Sequence, residues 1–345
     1  MKEENNITTK NVKISFCLPV YNVKPFLEDC LQSIVNQNID EYEILCIDDG
    51  STDGSYEFLF DKMNVISKLK VLKNEVNKGV SYTRNRLMKE AKGEYIWFVD
   101  PDDMLYPFVV SAFIDIAERE NGDVVLGNYV KIGETKTYEE KEKIDASKIE
   151  YYTPKFENWE WLPDKNGESK MFSLCRGIFK RDFLIKNELF LNEKVVLMED
   201  ALLYYEMRLK KPKIVKMEVC CYQVRQRAGS AMRSAGYNLN RSIKQYESLE
   251  ELIRVYKKYA YSSINVELES EKRMKFLFKT SIFALAKIKD RKYIQGKLRG
   301  MKARKEYPQM LKILEGSSFV EKVLLILFRF PICIFIFNGV YQLKK

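Results

Sequence analysis

The sequence predicts an α/β fold, a mostly parallel central sheet covered by helices on both faces. Three observations predict it. Short apolar runs of strand length alternate with helix-spaced segments from residue 14 to residue 130. The runs are continuously apolar, as strands buried on both faces are, and do not alternate as half-exposed strands do. Several of the runs end in polar or acidic clusters, and in such sheets ligands bind beyond the carboxyl ends of the strands.

The elements follow in order. Ile14 to Val20 (ISFCLPV) is the first strand, ending at Pro19-Val20-Tyr21-Asn22. In residues 24–37, Phe26, Leu27, Cys30, Leu31, Ile34 and Val35 share one helical face. Tyr42 to Ile47 is the second strand and runs into DDGSTDGS at 48–55. Ser55 to Met63 reads as a helix, Val71 to Lys73 as a short third strand and Gly79 to Ala91 as a helix. Tyr95 to Val99 is the fourth strand, Phe108 to Arg119 a helix and Asp123 to Val130 the fifth strand. Residues 131–170 are polar, with Tyr151, Tyr152, Trp159 and Trp161 among them, and read as an insertion across the open face. Apolar runs return over 171–235, and Ala201 to Leu209 is helical. The expected organisation is a catalytic α/β domain over 1–235, a basic helical extension over 236–315 and an apolar segment over 316–345.

Composition narrows the chemistry. The 345 residues are 46% hydrophobic and 31% charged, as in ordinary folded proteins, and include no histidine. That absence excludes a Ser-His-Asp triad, a Cys-His pair and any His-liganded zinc. Acid–base work falls to Asp, Glu, Lys, Tyr or Cys. The seven cysteines have no CxxC spacing and most lie in apolar runs, which suits buried free thiols in a reducing compartment. The N-terminus MKEENNITTK is polar, so no secretion signal is expected. The net charge of +9 is concentrated: residues 271–315 hold 14 Lys or Arg against 4 Asp or Glu. An anionic membrane surface or nucleic acid would answer such a stretch.

The stretch GEYIWFVDPDDMLYP at 93–107 carries the chemistry. A buried run stops at Asp100, Pro101, Asp102 and Asp103, with no polar linker to carry the acids into water. A solvated turn would also place Asp and Pro here, but Asp48-Asp49 ends a neighbouring strand in the same manner. Carboxylates at this density repel one another and persist where positive charge sits among them. A hard divalent cation, Mg²⁺ or Mn²⁺, fits; it takes one or two carboxylates and lets substrate phosphates supply other ligands. The segment NKGVSYTRNR adds Lys78, Gly79, Arg84 and Arg86, together with the free N–H groups of a helix start.

With these residues in place, the sequence resembles the family 2 glycosyltransferases of GT-A fold, including those of bacterial capsule, lipopolysaccharide and exopolysaccharide synthesis. The resemblance rests on PVYN (19–22), DDGSTDGS (48–55), NKGVSYTRN (77–85), GEYIWFVDPDD (93–103), MEDALL (198–203) and YQVRQRAGS (222–230), in the family's order over residues 12–235. It implies a Rossmann-like αβα sandwich, a nucleotide-diphospho-sugar donor (a UDP-sugar foremost) and Mn²⁺ or Mg²⁺. Pro19, Tyr21 and Asp49 would line the base and ribose, with Asn22 and Lys78 in the same donor-binding set. Arg84 would reach the base or the diphosphate. Asp100 and Asp102 match the DxD motif and Asp103 is the extra acid behind it; Asp102 and Asp103 are the candidate metal ligands and Asp100 a donor ligand, although the sequence does not divide ribose from metal among the three. Arg225 or Arg227 would hold the diphosphate.

The expected base is Asp200, with Glu199 beside it. Acids at a helix start are also favourable as caps, but this pair matches the place where the family keeps its base, and the product would have an inverted anomeric centre. Phe330 to Leu343 is an uncharged run of 14 residues, short of the roughly 20 needed to span a bilayer. With the basic stretch beside it, it reads as an interfacial segment at the inner face of the cytoplasmic membrane. A glycan or lipid-linked glycan acceptor suits that location, and no nucleic-acid partner is expected. Rival readings are a polyprenyl-phosphate glycosyltransferase, which would want a multi-span C-terminal region, and a nucleotidyltransferase, which would want a Gly-rich loop where PVYNVKP stands. A nucleic-acid-binding role for 271–315 is a rival of another class, and paired-carboxylate glycoside hydrolysis would not need the phosphate-side cations.

Overall fold

The computed structural model describes residues 12–138, 149–153, 173–196, 199–227, 239–260, 288, 290 and 292–297. Trp159, Trp161, Ser230, most of the basic stretch and the apolar segment at 316–345 lie outside the described residues. The chain divides into two compact units, Met1–Glu193 with Glu199–Ser234, and Lys194–Met198 with Ala235–Lys345.

The first unit is built on one sheet. Its strands are β1 (Ile14–Val20), β2 (Tyr42–Asp48), β3 (Leu69–Lys73), β4 (Tyr95–Phe98), β5 (Met104–Leu105), β6 (Val124–Gly133), β7 (Tyr151–Tyr152), β8 (Gly177–Lys180) and β9 (Ile214–Gln226). The helices are α1 (Lys24–Val35), α2 (Ser55–Lys62), α3 (Val80–Glu90), α4 (Val110–Glu120), α5 (Arg181–Lys186) and α6 (Glu199–Leu209). The strand order is β3-β2-β1-β4-β8-β6-β9-β5, with β7 also paired to β9.

The half formed by β3, β2, β1 and β4 is parallel throughout, as expected from continuous apolar strands. The other half is mixed: β8 runs antiparallel to both β4 and β6, β5 runs antiparallel to β9, and β6 pairs with β9 in parallel. The expected α/β sheet is present, wholly parallel in its first half and mixed in its second. The short strands β5, β7 and β8 carry too few residues for a period to be read from them.

Both faces are covered. Phe16 and Leu18 of β1, Cys46 of β2 and Trp97 of β4 pack in one cluster with Leu27 and Leu31 of α1, Leu59 of α2 and Phe113 of α4. Cys17, Leu45, Ile96 and Phe98, from the opposite side of the same strands, pack with Leu87 and Met88 of α3, Leu184 of α5 and Leu203 and Met207 of α6. Alternate residues of each strand thus serve two cores, which explains why the runs are apolar on both faces; the polar Ser15 of β1 and Glu43 of β2 are bonded to each other at 2.6 Å.

Gly93 marks the closest backbone approach. A Cβ there would lie 2.5 Å from the Ser15 nitrogen and 2.8 Å from Ser15 Oγ, to which the Gly93 N–H already donates at 2.8 Å. Because the obstacle is backbone, Gly93→Ala is expected to cost about 1–3 kcal/mol by forcing β4 away from β1. A fall in the urea unfolding midpoint of the full chain checks this.

In the second unit, α7 (Leu239–Ala260) buries Tyr246, Leu249 and Leu252. Ser248 Oγ accepts the Val196 N–H at 2.8 Å, and Lys297 pairs with Glu250 at 2.7 Å. Among the described residues no helix is long and apolar enough to cross a membrane. The six described cysteines are free thiols, five of them buried.

Candidate functional site: an acidic rim clamped by arginines

Register sets the rim. In the parallel half, Val20 lies opposite Asp48, and Cys17 lies opposite Phe98, so the ends of β1, β2 and β4 fall along one edge. The turn Asp100–Asp103 leaves β4 there. It returns through β5, where Leu105 pairs with Tyr222 and Met104 with Gln223, which brings Tyr222 to Arg227 alongside the acids.

The three carboxylates of this turn are treated differently. Asp100 is the most open, its side chain 37% exposed. Its N–H donates to the Tyr222 hydroxyl at 2.9 Å. Asp102 accepts from Arg227 Nε at 2.5 Å. Asp103 is turned inward and 5% exposed; it accepts the Arg225 N–H at 2.7 Å and a bond from the Tyr222 hydroxyl. Burial, and then Asp100, raise the pKa of both Asp102 and Asp103, that of Asp103 well above its ordinary value; the Arg227 pair opposes this at Asp102. A cation entering the rim would relieve the same strain.

Arg84, from α3, is the positive group among the acids. Its side chain is only 5% exposed. Nη2 donates to Asp100 Oδ1 at 2.8 Å, and Nη1 donates to Asp200 Oδ1 at 2.8 Å and to Glu199 Oε1 at 3.0 Å. Burial works against the Arg84 charge, but Asp200 and Asp100 outweigh it and hold the guanidinium protonated. The acid pair opens α6, yet Asp200 spends its oxygens on Arg84 and, at 3.1 Å, on the Leu174 N–H. A plain helix cap would turn them toward its own first turn. Leu174 is held there by the buried Trp97, whose indole N–H donates to the Cys175 carbonyl at 2.8 Å.

Burial, and then the negative Asp200, push Glu199 up to about 7, against the pull of Arg84. Burial likewise raises Asp200, with Arg84 again opposing. A carboxyl raised from 4.5 to about 7 on folding takes up protons that the unfolded chain has released. Stability from this group is complete below about pH 4.5 and is lost as pH rises through about 7, by on the order of 3 kcal/mol. Glu199→Gln is therefore expected to gain stability relative to the parent chain between pH 5 and 8, read from paired urea curves.

The donor-side candidates are also placed. Tyr21 is 48% exposed at the rim, beside the half-buried Pro19. Asn22 sits at φ 51°, with its Oδ1 accepting the Thr52 N–H at 2.8 Å, and ties the β1 and β2 exits together. Asp49 is buried and accepts from Asn74 Nδ2 (2.7 Å), the Lys78 N–H (2.8 Å) and the Gly79 N–H (2.8 Å). It thus fixes the entry to α3, where Gly79 at φ 91° supplies a conformation that L side chains rarely adopt. Lys78 itself projects outward.

Arg225, expected at the diphosphate, is placed otherwise. Its side chain is 2% exposed. It donates to the carbonyls of Asp102 (2.9 Å), Glu134 (2.8 Å) and Lys136, and to Asp29 at 3.1 Å. It braces the acidic turn from beneath and has no open face toward a ligand. Arg227 remains at the rim on Asp102, and both guanidiniums lie over the Phe26 ring. Of the Tyr/Trp patch, Tyr151 bonds Glu120 at 3.1 Å and lies under Arg119, which is packing.

Sequence reasoning did not single out Asn74, Asn85 or Asp29. Asn85 follows Arg84 directly, and that adjacency was the available signal. It clamps Leu191 through both amide atoms, at 2.8 and 2.9 Å, and reaches Glu193 at 3.1 Å.

A two-sided α/β sandwich with an acidic turn after its fourth strand, and a second acid pair facing it, defines the GT-A class of glycosyltransferase fold. Residues 15–183 match the family model described as glycosyl transferase family 2. It is 29% identical over 189 residues to the uncharacterized glycosyltransferase EpsJ of Bacillus subtilis, a match covering 54% of each chain. It is 34% identical over 122 residues to the glycosyltransferase GlyG of Streptococcus pneumoniae, covering 35% of this chain and 40% of the relative. The chain thus spans about half the length, or less, of these curated relatives. The fold is also that of S. aureus TarS 1–349 in complex with UDP-GlcNAc, with a TM-score of 0.52, 21% identity and coverage of 79% and 81% of the two chains. The Pyrobaculum calidifontis mannosyltransferase PcManGT, in complex with GDP-Man and Mn²⁺, gives a TM-score of 0.51 at 15% identity, covering 90% and 78%.

Proposed function

We propose that the chain is a metal-dependent, inverting glycosyltransferase. It moves a sugar from a nucleoside-diphosphate donor, a UDP-sugar foremost, to a hydroxyl of a glycan acceptor, lipid-linked, in surface polysaccharide synthesis. The observation that carries this reading is the meeting of two separate acid groups, Asp100 at the head of the acidic turn after β4 and Glu199–Asp200 on α6, across one buried arginine. The nucleotide-sugar complexes of fold relatives and the naming of sequence relatives as glycosyltransferases support it.

The donor set suits Mn²⁺ or Mg²⁺. Among the described residues no three acidic or thiol side chains converge as a ready-made cage, and a hard cation that borrows phosphate oxygens needs only one or two carboxylates. Asp102 would hold it, with Asp103 fixing the turn from within and Asp100 facing the ribose. Such a cation, when bound, would neutralise charge on the departing diphosphate. Tyr21, Pro19 and Asn22 line the nucleoside side, and Asp49 shapes it by holding the 78–79 backbone. The acceptor oxygen attacks the anomeric carbon opposite the diphosphate and gives its proton to Asp200. The bond to the diphosphate oxygen breaks, and that oxygen keeps the electron pair. Residues 271–315 and 316–345 would hold the enzyme to anionic lipid on the inner face of the cytoplasmic membrane, and no nucleic acid enters this reading.

The test is direct. Full-length protein with Mn²⁺ is incubated with UDP-, GDP- and dTDP-sugars, and nucleotide release is followed. Release from one donor class, abolished by EDTA, is expected; release from none overturns the reading.

A further inference from the structure

We propose that Arg84 is a positioning residue that ties the donor side of the site to its base, holding Asp100 and the Glu199–Asp200 pair in one fixed arrangement. The inference rests on the glycosyl-transfer reading above and adds a role that the family resemblance did not assign.

The resemblance placed Arg84 on the nucleobase or the diphosphate. The geometry gives its terminal nitrogens other work: Nη2 is on Asp100 and Nη1 is shared by Asp200 and Glu199, all at 3.0 Å or less. A phosphate oxygen would have to displace a carboxylate to reach them. Arg84 is also set for precision. It rises from α3, whose entry is pinned by Asp49 through the Lys78 and Gly79 N–H groups. One residue on, Asn85 clamps Leu191 and Glu193 in the chain segment that precedes the acid pair. Helix α3 therefore meets the donor rim at its start and fixes the base loop from its middle.

The guanidinium is suited to this. Its planar fork orients two groups at once, which a lysine ammonium on a flexible stem does not. Burial and neighbouring negative charge disfavour the ionised forms of Glu199 and Asp200, so the same guanidinium charge that aligns them also keeps them in place. A base displaced by about 1 Å from its working position loses on the order of 100-fold in rate. Rate should therefore depend on Arg84 much more than donor binding does.

The experiment compares Arg84→Lys and Arg84→Gln with the parent chain, full length and with Mn²⁺ throughout. Affinity for UDP is measured by calorimetry, and kcat and KM are measured for nucleotide release from the UDP-sugar that the parent turns over. The expected result is UDP affinity and donor KM within about threefold of the parent, with kcat at least roughly 100-fold lower in Arg84→Gln and partly restored in Arg84→Lys. If Arg84→Gln does not fold, Arg84→Lys alone should show lowered kcat at retained affinity, because the charge stays and the fork is lost. A tenfold or greater loss of UDP affinity with kcat unchanged would make Arg84 a donor ligand and overturn the inference. An unchanged kcat in both variants would do so too. A parent chain that turns over no donor sinks the glycosyl-transfer reading itself, and this inference with it.

Discussion

Asp200→Asn is expected to lower transfer by about 10³-fold while leaving UDP–Mn²⁺ affinity within about threefold. The amide keeps the size of the side chain and still offers an oxygen to the Leu174 N–H or to Arg84, so the start of α6 should hold its place. What it loses is the capacity to take a proton from the acceptor hydroxyl. Glu199→Gln should be the milder variant, since Glu199 shares Arg84 with its neighbour and is held near neutrality. Steady-state transfer with each variant, beside calorimetry with UDP, separates the two. Transfer unchanged in Asp200→Asn would remove that residue as the base.

The second large effect belongs to Asp102. Asp102→Ala is expected to weaken Mn²⁺-dependent UDP binding by at least roughly 100-fold, with the fold intact. Of the two buried-side acids in the turn, Asp103 is spent on the Arg225 N–H and Tyr222, so its loss would loosen the turn. The side-chain partner of Asp102 is Arg227, at the rim and able to yield. Asp103→Asn should therefore lower thermal stability more than Asp102→Ala does. Titration of Mn²⁺ against UDP binding, beside melting curves, checks both halves. Equal metal response in Asp102→Ala and the parent would dismiss Asp102 as the ligand.

The legible parts of the fold were those with long, uniform patterns. Strands β1, β2 and β4 and helices α1 to α4 follow from apolar runs and helical spacing, because both sheet faces are buried and the runs end abruptly in polar residues, acids after β2 and β4 and Tyr21-Asn22 after β1. Strands β5, β7 and β8 did not follow, since two to four residues carry no period and their antiparallel pairing is decided by distant partners. The acids of the site were legible for a similar reason: they interrupt apolar sequence abruptly. Their partners were harder. Nothing local says that Arg225 turns inward to three carbonyls and Asp29 while Arg227, two residues on, stays at the rim. Residues i and i+2 of a strand share a face, so the difference arises from where the strand ends and from the 134–136 backbone that meets it.

The histidine-free composition and the displaced Glu199 have a joint consequence for measurement. With no imidazole to absorb or shed protons near neutrality, and with a UDP-sugar as ligand, whose doubly esterified diphosphate does not titrate there, hydrogen-ion traffic accompanying association should trace largely to the crowded carboxyls. Repeating one calorimetric titration in buffers of differing ionisation enthalpy would then count those protons, and turn a bulk heat signal into a report on a single cluster of side chains.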